Sequence, residues 1–121
     1  MINDLIGAPY ELGGRDAATG IDCWGVVMYV YKKLGREIPD YWSKTLSRQQ
    51  IISLIRQDQA AVANEVDTPK QYDLVVDIKK GHIGVWVNGK VLHASKEFGV
   101  KLETIDNFRQ LYPAARFYQC H

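Results

Sequence analysis

His82-Ile83-Gly84-Val85-Trp86-Val87, then Asn88-Gly89, then Lys90-Val91-Leu92-His93-Ala94-Ser95 is the stretch that decides the fold. Asn-Gly is the favoured pair for a two-residue type I′ turn, and apolar, β-branched runs flank it on both sides. The stretch therefore predicts an antiparallel hairpin, with strands over Ile83–Val87 and Lys90–Ala94. In that register Val87 faces Lys90, Gly84 faces His93 and His82 faces Ser95. Side chains alternate with period two, so His82, Gly84, His93 and Ser95 share one face. His82 and His93 become diagonal neighbours, within reach of one another, and Gly84 is expected to leave open space between them. The other face carries Ile83, Val85, Val87, Leu92 and Ala94, an apolar set suited to a core.

Upstream, residues 7–22 are punctuated by Gly7, Pro9, Gly13, Gly14 and Gly20 and read as a structured loop. From Asp22 to Leu34 the pattern turns helical, with Val27, Val30, Tyr31 and Leu34 forming one apolar stripe. Asp22 suits an N-cap, Lys32 and Lys33 complement the C-terminal dipole, and Gly35 can close the helix. Ser47 and Gln50 form a capping box ahead of Ile51, Ile52, Leu54 and Ile55, which predicts a second helix from Ser47. Further strands are expected at Leu74–Ile78 and Arg116–Tyr118. Helices first and then an antiparallel meander make an α+β fold, and 121 residues without repeat or linker make one domain, 1–121.

Cys23 opens the first helix, where backbone N–H groups and the dipole favour a thiolate. A neighbouring imidazolium would lower its pKa further, giving the ion pair of cysteine hydrolases. Two other readings stand beside this one. The histidines can be surface residues placed by chance, or can ligate zinc together with Cys23. No second Cys-x-x-Cys or His-x-x-x-His spacing supports the metal. Cys23 and Cys120 read as reduced thiols rather than a disulfide. A net charge of +1 gives no global attraction to nucleic acid or anionic membrane. No run approaches the roughly 20 apolar residues of a spanning helix. Met1–Leu12 contains Asp4 and Glu11 and lacks a basic region before an apolar core, so no secretory signal is expected there.

These residues together resemble the NlpC-type cell-wall peptidases, compact papain-like cysteine enzymes. The likeness is carried by Tyr10-Glu11-Leu12-Gly13-Gly14 and Gly20-Ile21-Asp22-Cys23-Trp24-Gly25-Val26-Val27. It continues through Asp73-Leu74-Val75, the His82–Val87 and Leu92–Ser95 strands, Gly99-Val100 and Ala115-Arg116. The resemblance implies a papain-like α+β fold with helices packed on an antiparallel sheet or half-barrel and the nucleophile at a helix N-terminus. It implies Cys23 as nucleophile, His82 as general base and His93 as the residue that orients His82. Tyr10 resembles the tyrosine near the oxyanion position, and Asp22 the residue that meets the free amine of a stem peptide. Trp24 stands where the family often has serine, so it is expected to shape the substrate subsites. Residues 36–72 have no residue-by-residue match.

The implied reaction is cleavage between D-glutamate and diaminopimelate or lysine in peptidoglycan stem peptides, with no metal and no organic cofactor. Small relatives of this kind occur among phage tail proteins, so a tail partner, and a place in the virion tail or the cytoplasm, are part of the implied setting. The alternatives are another thiol acyl-transfer enzyme (an amidase or acyltransferase), motivated by Trp24 and the unmatched 36–72 stretch, and a tail-assembly module that keeps the fold.

Overall fold

The computed structural model describes residues 2–38 and 63–120. The helix expected from Ser47, and most of the unmatched 36–72 stretch, lie outside the described residues. Near the N-terminus a two-stranded hairpin, β1 (Arg15–Asp16) and β2 (Gly20–Ile21), leads into α1 (Cys23–Lys33). A six-stranded sheet follows, built from β3 (Ala63–Val66), β4 (Leu74–Asp77), β5 (His82–Val87), β6 (Lys90–Ser95), β7 (Gly99–Glu103) and β8 (Arg116–Cys120). Between β7 and β8 runs a short helix, α2 (Ile105–Leu111). The sheet is antiparallel throughout, in the order β3-β8-β4-β5-β6-β7. This is the α+β class expected from the sequence, with β4 to β7 as a meander. The last strand is set inside the sheet between β3 and β4. No helix of the described residues is long and apolar enough to cross a membrane.

The decisive hairpin forms in the expected register. Val87 pairs with Lys90, Trp86 with Val91 and Val85 with Leu92. Asn88 and Gly89 take φ of 52° and 77°, the two positive values a type I′ turn requires. Helix α1 also matches its prediction. Asp22 caps it by accepting the Gly25 N–H at 2.8 Å, and Lys32 and Lys33 occupy the last turn. Gly35 follows with φ of 78°.

Alternation along β5 and β6 divides the apolar residues between two cores. Ile83, Val85, Val87, Leu92 and Ala94 pack with Val26, Val27, Val30 and Tyr31 of α1. On the reverse face Val75, Val91, Phe108 and Ala115 form a second, smaller cluster with Trp86, Ile105, Tyr112 and Phe117. The histidine face is therefore roofed by α2. Thr104 caps that helix by accepting the Asn107 N–H, and Phe108 is its fully buried residue. The region after α2 is tied back to the sheet by Asp77, whose buried carboxylate accepts the N–H groups of Lys80 (2.9 Å) and Ala114 (3.2 Å). Gly84 does not leave the open space expected of it. A Cβ there would stand 2.8 Å from Val91 Cγ1 and 2.9 Å from the Leu92 carbonyl oxygen. Glycine here lets β6 close onto β5.

Candidate active site

The N-terminal loop is laid across the start of α1 by backbone hydrogen bonds. Ile21 N–H donates to the Pro9 carbonyl, Glu11 N–H to that of Ile21, and Asp22 N–H to that of Gly14. Tyr10 bridges to Ile21 in the process, so its ring is delivered to the helix start. Cys23, the first residue of α1, is a free thiol and only 7% exposed. It lines a cleft of about 540 Å³ together with Tyr10, His82, His93 and Tyr112.

His82 and His93 meet as the register requires. Nε2 of His82 lies 3.0 Å from Nδ1 of His93, with the rings nearly perpendicular at 89°. Aromatic walls fix both rings. Tyr112 stacks on His82 with centroids 4.2 Å apart at 8°, and Phe108 meets His93 at 4.9 Å and 85°. These contacts come from α2 and the residue after it, which the sequence reading did not assign. The available signal was the Thr104 cap followed by Ile105, Phe108 and Tyr112 at helical spacing. Beyond His93 stands Glu103 of β7, its Oε2 3.5 Å from His93 Nε2. Glu103 was also absent from the expected site.

Burial dominates the electrostatics of the cysteine and the histidines. Burial, and secondarily the Asp22 carboxylate, push the Cys23 thiol up to about 12, against the backbone N–H groups that favour its thiolate. Burial, then the neighbouring His93, push His82 down to about 3. Burial thus works against the thiolate–imidazolium pair expected from the helix start. Burial also lowers His93, although Glu103 works in the opposite direction. Tyr10 and Tyr112 are both held above their ordinary range, first by burial and next by the Cys23 charge.

A pH dependence of stability follows. Unfolded His82 takes up a proton near its ordinary 6.5, whereas the folded ring resists until about 3. Its contribution is therefore complete above pH 6.5 and is lost as pH falls from there toward 3, at about 1.4 kcal/mol per unit. Denaturant unfolding of the parent and of His82→Gln at pH 7 and pH 4 measures this. The stability gap between them should narrow by roughly 2 kcal/mol or more at the lower pH. An unchanged gap would show that the ring is not held neutral.

The structure brings Cys23, His82, His93 and Tyr10 to one cleft. Two expected residues are placed elsewhere. Trp24 is 2% exposed and packed in the α1 core, so it does not wall the cleft. Its position is set by the face with which α1 docks. Asp22 is 1% exposed, and its carboxylate accepts the N–H groups of Gly13 and Gly25 and pairs with Arg15 at 2.7 Å. The N-cap role describes it, with Oδ1 shared by Gly25 and Arg15 and Oδ2 taken by Gly13. Among the described residues no group of three or more His, Cys, Asp or Glu is arranged to hold a metal ion.

The sequence profile of the NlpC/P60 family matches residues 7–119. Among solved structures, the chain is similar to the NlpC/p60 domain of the peptidoglycan hydrolase SagA. The identity is 27% and the TM-score 0.64, over 95% of this chain and 88% of that one. It also shares its fold with a lipoprotein-like NLP/P60 protein from Staphylococcus aureus subsp. aureus Mu50. There the identity is 22% and the TM-score 0.57, over 93% of this chain but 37% of that longer one. A search of the curated proteins gave no match.

Proposed function

Since this chain belongs to the NlpC/P60 family, we propose that it is a cysteine peptidase that hydrolyses peptidoglycan stem peptides between D-glutamate and diaminopimelate or lysine. The observation that carries this reading is the pair of linked imidazoles, 3.0 Å apart, in one cleft with a helix-opening cysteine. The similar SagA domain belongs to a peptidoglycan hydrolase, which supports the substrate class. Because Trp24 is buried in the core, it gives no support to a different acyl group.

In this reading His82 draws the proton from the Cys23 thiol as the sulfur attacks the scissile carbonyl carbon. Burial works against a stored ion pair, so in this reading proton transfer accompanies attack. The backbone N–H groups of Cys23 and Trp24 already act on the sulfur. With the Tyr10 hydroxyl they are the donors we assign to the oxyanion. Collapse breaks the C–N bond, and the imidazolium of His82 protonates the departing amine. Water, deprotonated by the same ring, then cleaves the thioester and restores the thiol. Mass spectrometry of purified muropeptides incubated with the protein tests the proposal. Fragments ending in D-glutamate are expected, and unchanged muropeptides would sink it.

A further inference from the structure

We propose that Glu103 is a positioning residue, the outer link of a Glu103–His93–His82 chain, which selects the tautomer of both imidazoles and leaves the Nδ1 lone pair of His82 free for the Cys23 proton. The inference deepens the hydrolase reading and rests on it for its kinetic part only.

Register places the residue. Along β6 and β7, Val91 pairs with Glu103 and His93 with Lys101, so Glu103 is the diagonal neighbour of His93 on the histidine face. The carboxylate is divided between two partners. Oε1 holds Lys101 Nζ at 2.6 Å, and Oε2 faces His93 Nε2 at 3.5 Å. Lys101 is itself steadied over the Phe98 ring at 4.8 Å. His93 Nε2 is buried and makes no hydrogen bond among the described residues, and the Glu103 carboxylate at 3.5 Å is the group it faces.

Proton counting then fixes the rest. A neutral imidazole carries one N–H and one lone pair. If His93 Nε2 bears the hydrogen, it points a donor at the Glu103 carboxylate, and His93 Nδ1 becomes an acceptor. The contact at 3.0 Å must then be filled by an N–H on His82 Nε2. That leaves Nδ1 of His82 unprotonated, the state a general base needs. The opposite assignment aims a buried lone pair at a carboxylate. It also puts the hydrogen on His82 Nδ1, where the ring cannot accept a proton from Cys23. The two assignments exclude one another, and the charge of Glu103 decides between them. Lys101 neutralises the outer oxygen, so the carboxylate directs the hydrogen without drawing a second proton onto His93.

The test is nitrogen NMR of ¹⁵N-histidine-labelled protein, in which two-bond couplings report which ring nitrogen is protonated, followed by kinetics. In the parent both histidines are expected as the Nε2–H tautomer. In Glu103→Ala the Nδ1–H form of His82 should appear, with kcat on muropeptides down about 10- to 100-fold, the loss typical of removing an outer carboxylate partner from a functional histidine. KM should stay unchanged. Glu103→Gln removes the charge and, with its one oxygen held by Lys101, turns an N–H donor toward His93, so it too should show the Nδ1–H form of His82 and a fall in kcat. A parent with His93 protonated at Nδ1 would overturn the proposal. So would parental tautomers in Glu103→Ala or in Glu103→Gln. Should Glu103→Ala not fold, the tautomers of the parent and of Glu103→Gln still decide. A parent that leaves muropeptides uncut would sink the hydrolase reading, and the NMR result would judge Glu103 on its own.

Discussion

Cys23→Ala is expected to lower muropeptide turnover by roughly 10⁴- to 10⁶-fold, the range found when the nucleophile of a concerted triad is removed. No other thiol lines the cleft among the described residues, and the phenols of Tyr10 and Tyr112 that line it are held in their protonated form, first by burial. The fold should survive, because alanine is a strong helix former and the Asp22 cap does not use the Cys23 side chain. Thermal unfolding run beside the assay separates the two effects. A melting temperature within a few degrees of the parent with activity gone supports the assignment, and turnover within tenfold of the parent ends it.

Gly14→Ala is expected to give a large loss of stability. A Cβ on Gly14 would stand 2.3 Å from the Gly20 carbonyl oxygen, 2.6 Å from its carbon and 2.9 Å from the Glu11 carbonyl oxygen. All three are backbone atoms, so no side chain can swing aside. Retreat is blocked too, because a Cβ on Gly25 would lie 2.6 Å from the Gly14 carbonyl oxygen. The loop and the first turn of α1 are closed on each other at contact distance. The cost should be about 3 kcal/mol or more, a fall in Tm of about 10 °C or more. Gly35→Ala is the control. Its φ of 78° strains an alanine, but its Cβ meets nothing within 4 Å, so it should cost only about 1 kcal/mol. Equal losses in the two variants would show that backbone conformation, not the interlock, is what glycine supplies at position 14.

What could be read in advance was what local pattern controls. Asn88-Gly89 dictates its own turn, and period-two alternation then forces His82 and His93 together without reference to the rest of the chain. The 3.6-residue stripe and Asp22 did the same for α1. What could not be read depended on docking. Trp24 is adjacent to Cys23, and whether it lines the cleft or fills the core is decided by how α1 rolls on the sheet. Helix α2 has seven residues and a single fully buried one, too short a run for periodicity to declare itself. Missing it hid Tyr112 and Phe108, and missing β7 hid Glu103. The raised thiol was missed for a related reason. The helix N-terminus was visible in the sequence, but the depth at which it is buried was not.

Strand β8 sits inside the sheet between β3 and β4, although it is the last strand in chain order. During synthesis, everything through α2 emerges before the strand that joins β3 to the meander. Until Arg116–Cys120 has been made, β4 lacks its outer neighbour and β3 its partner in the sheet. Completion of the sheet therefore waits on the closing of one internal strand.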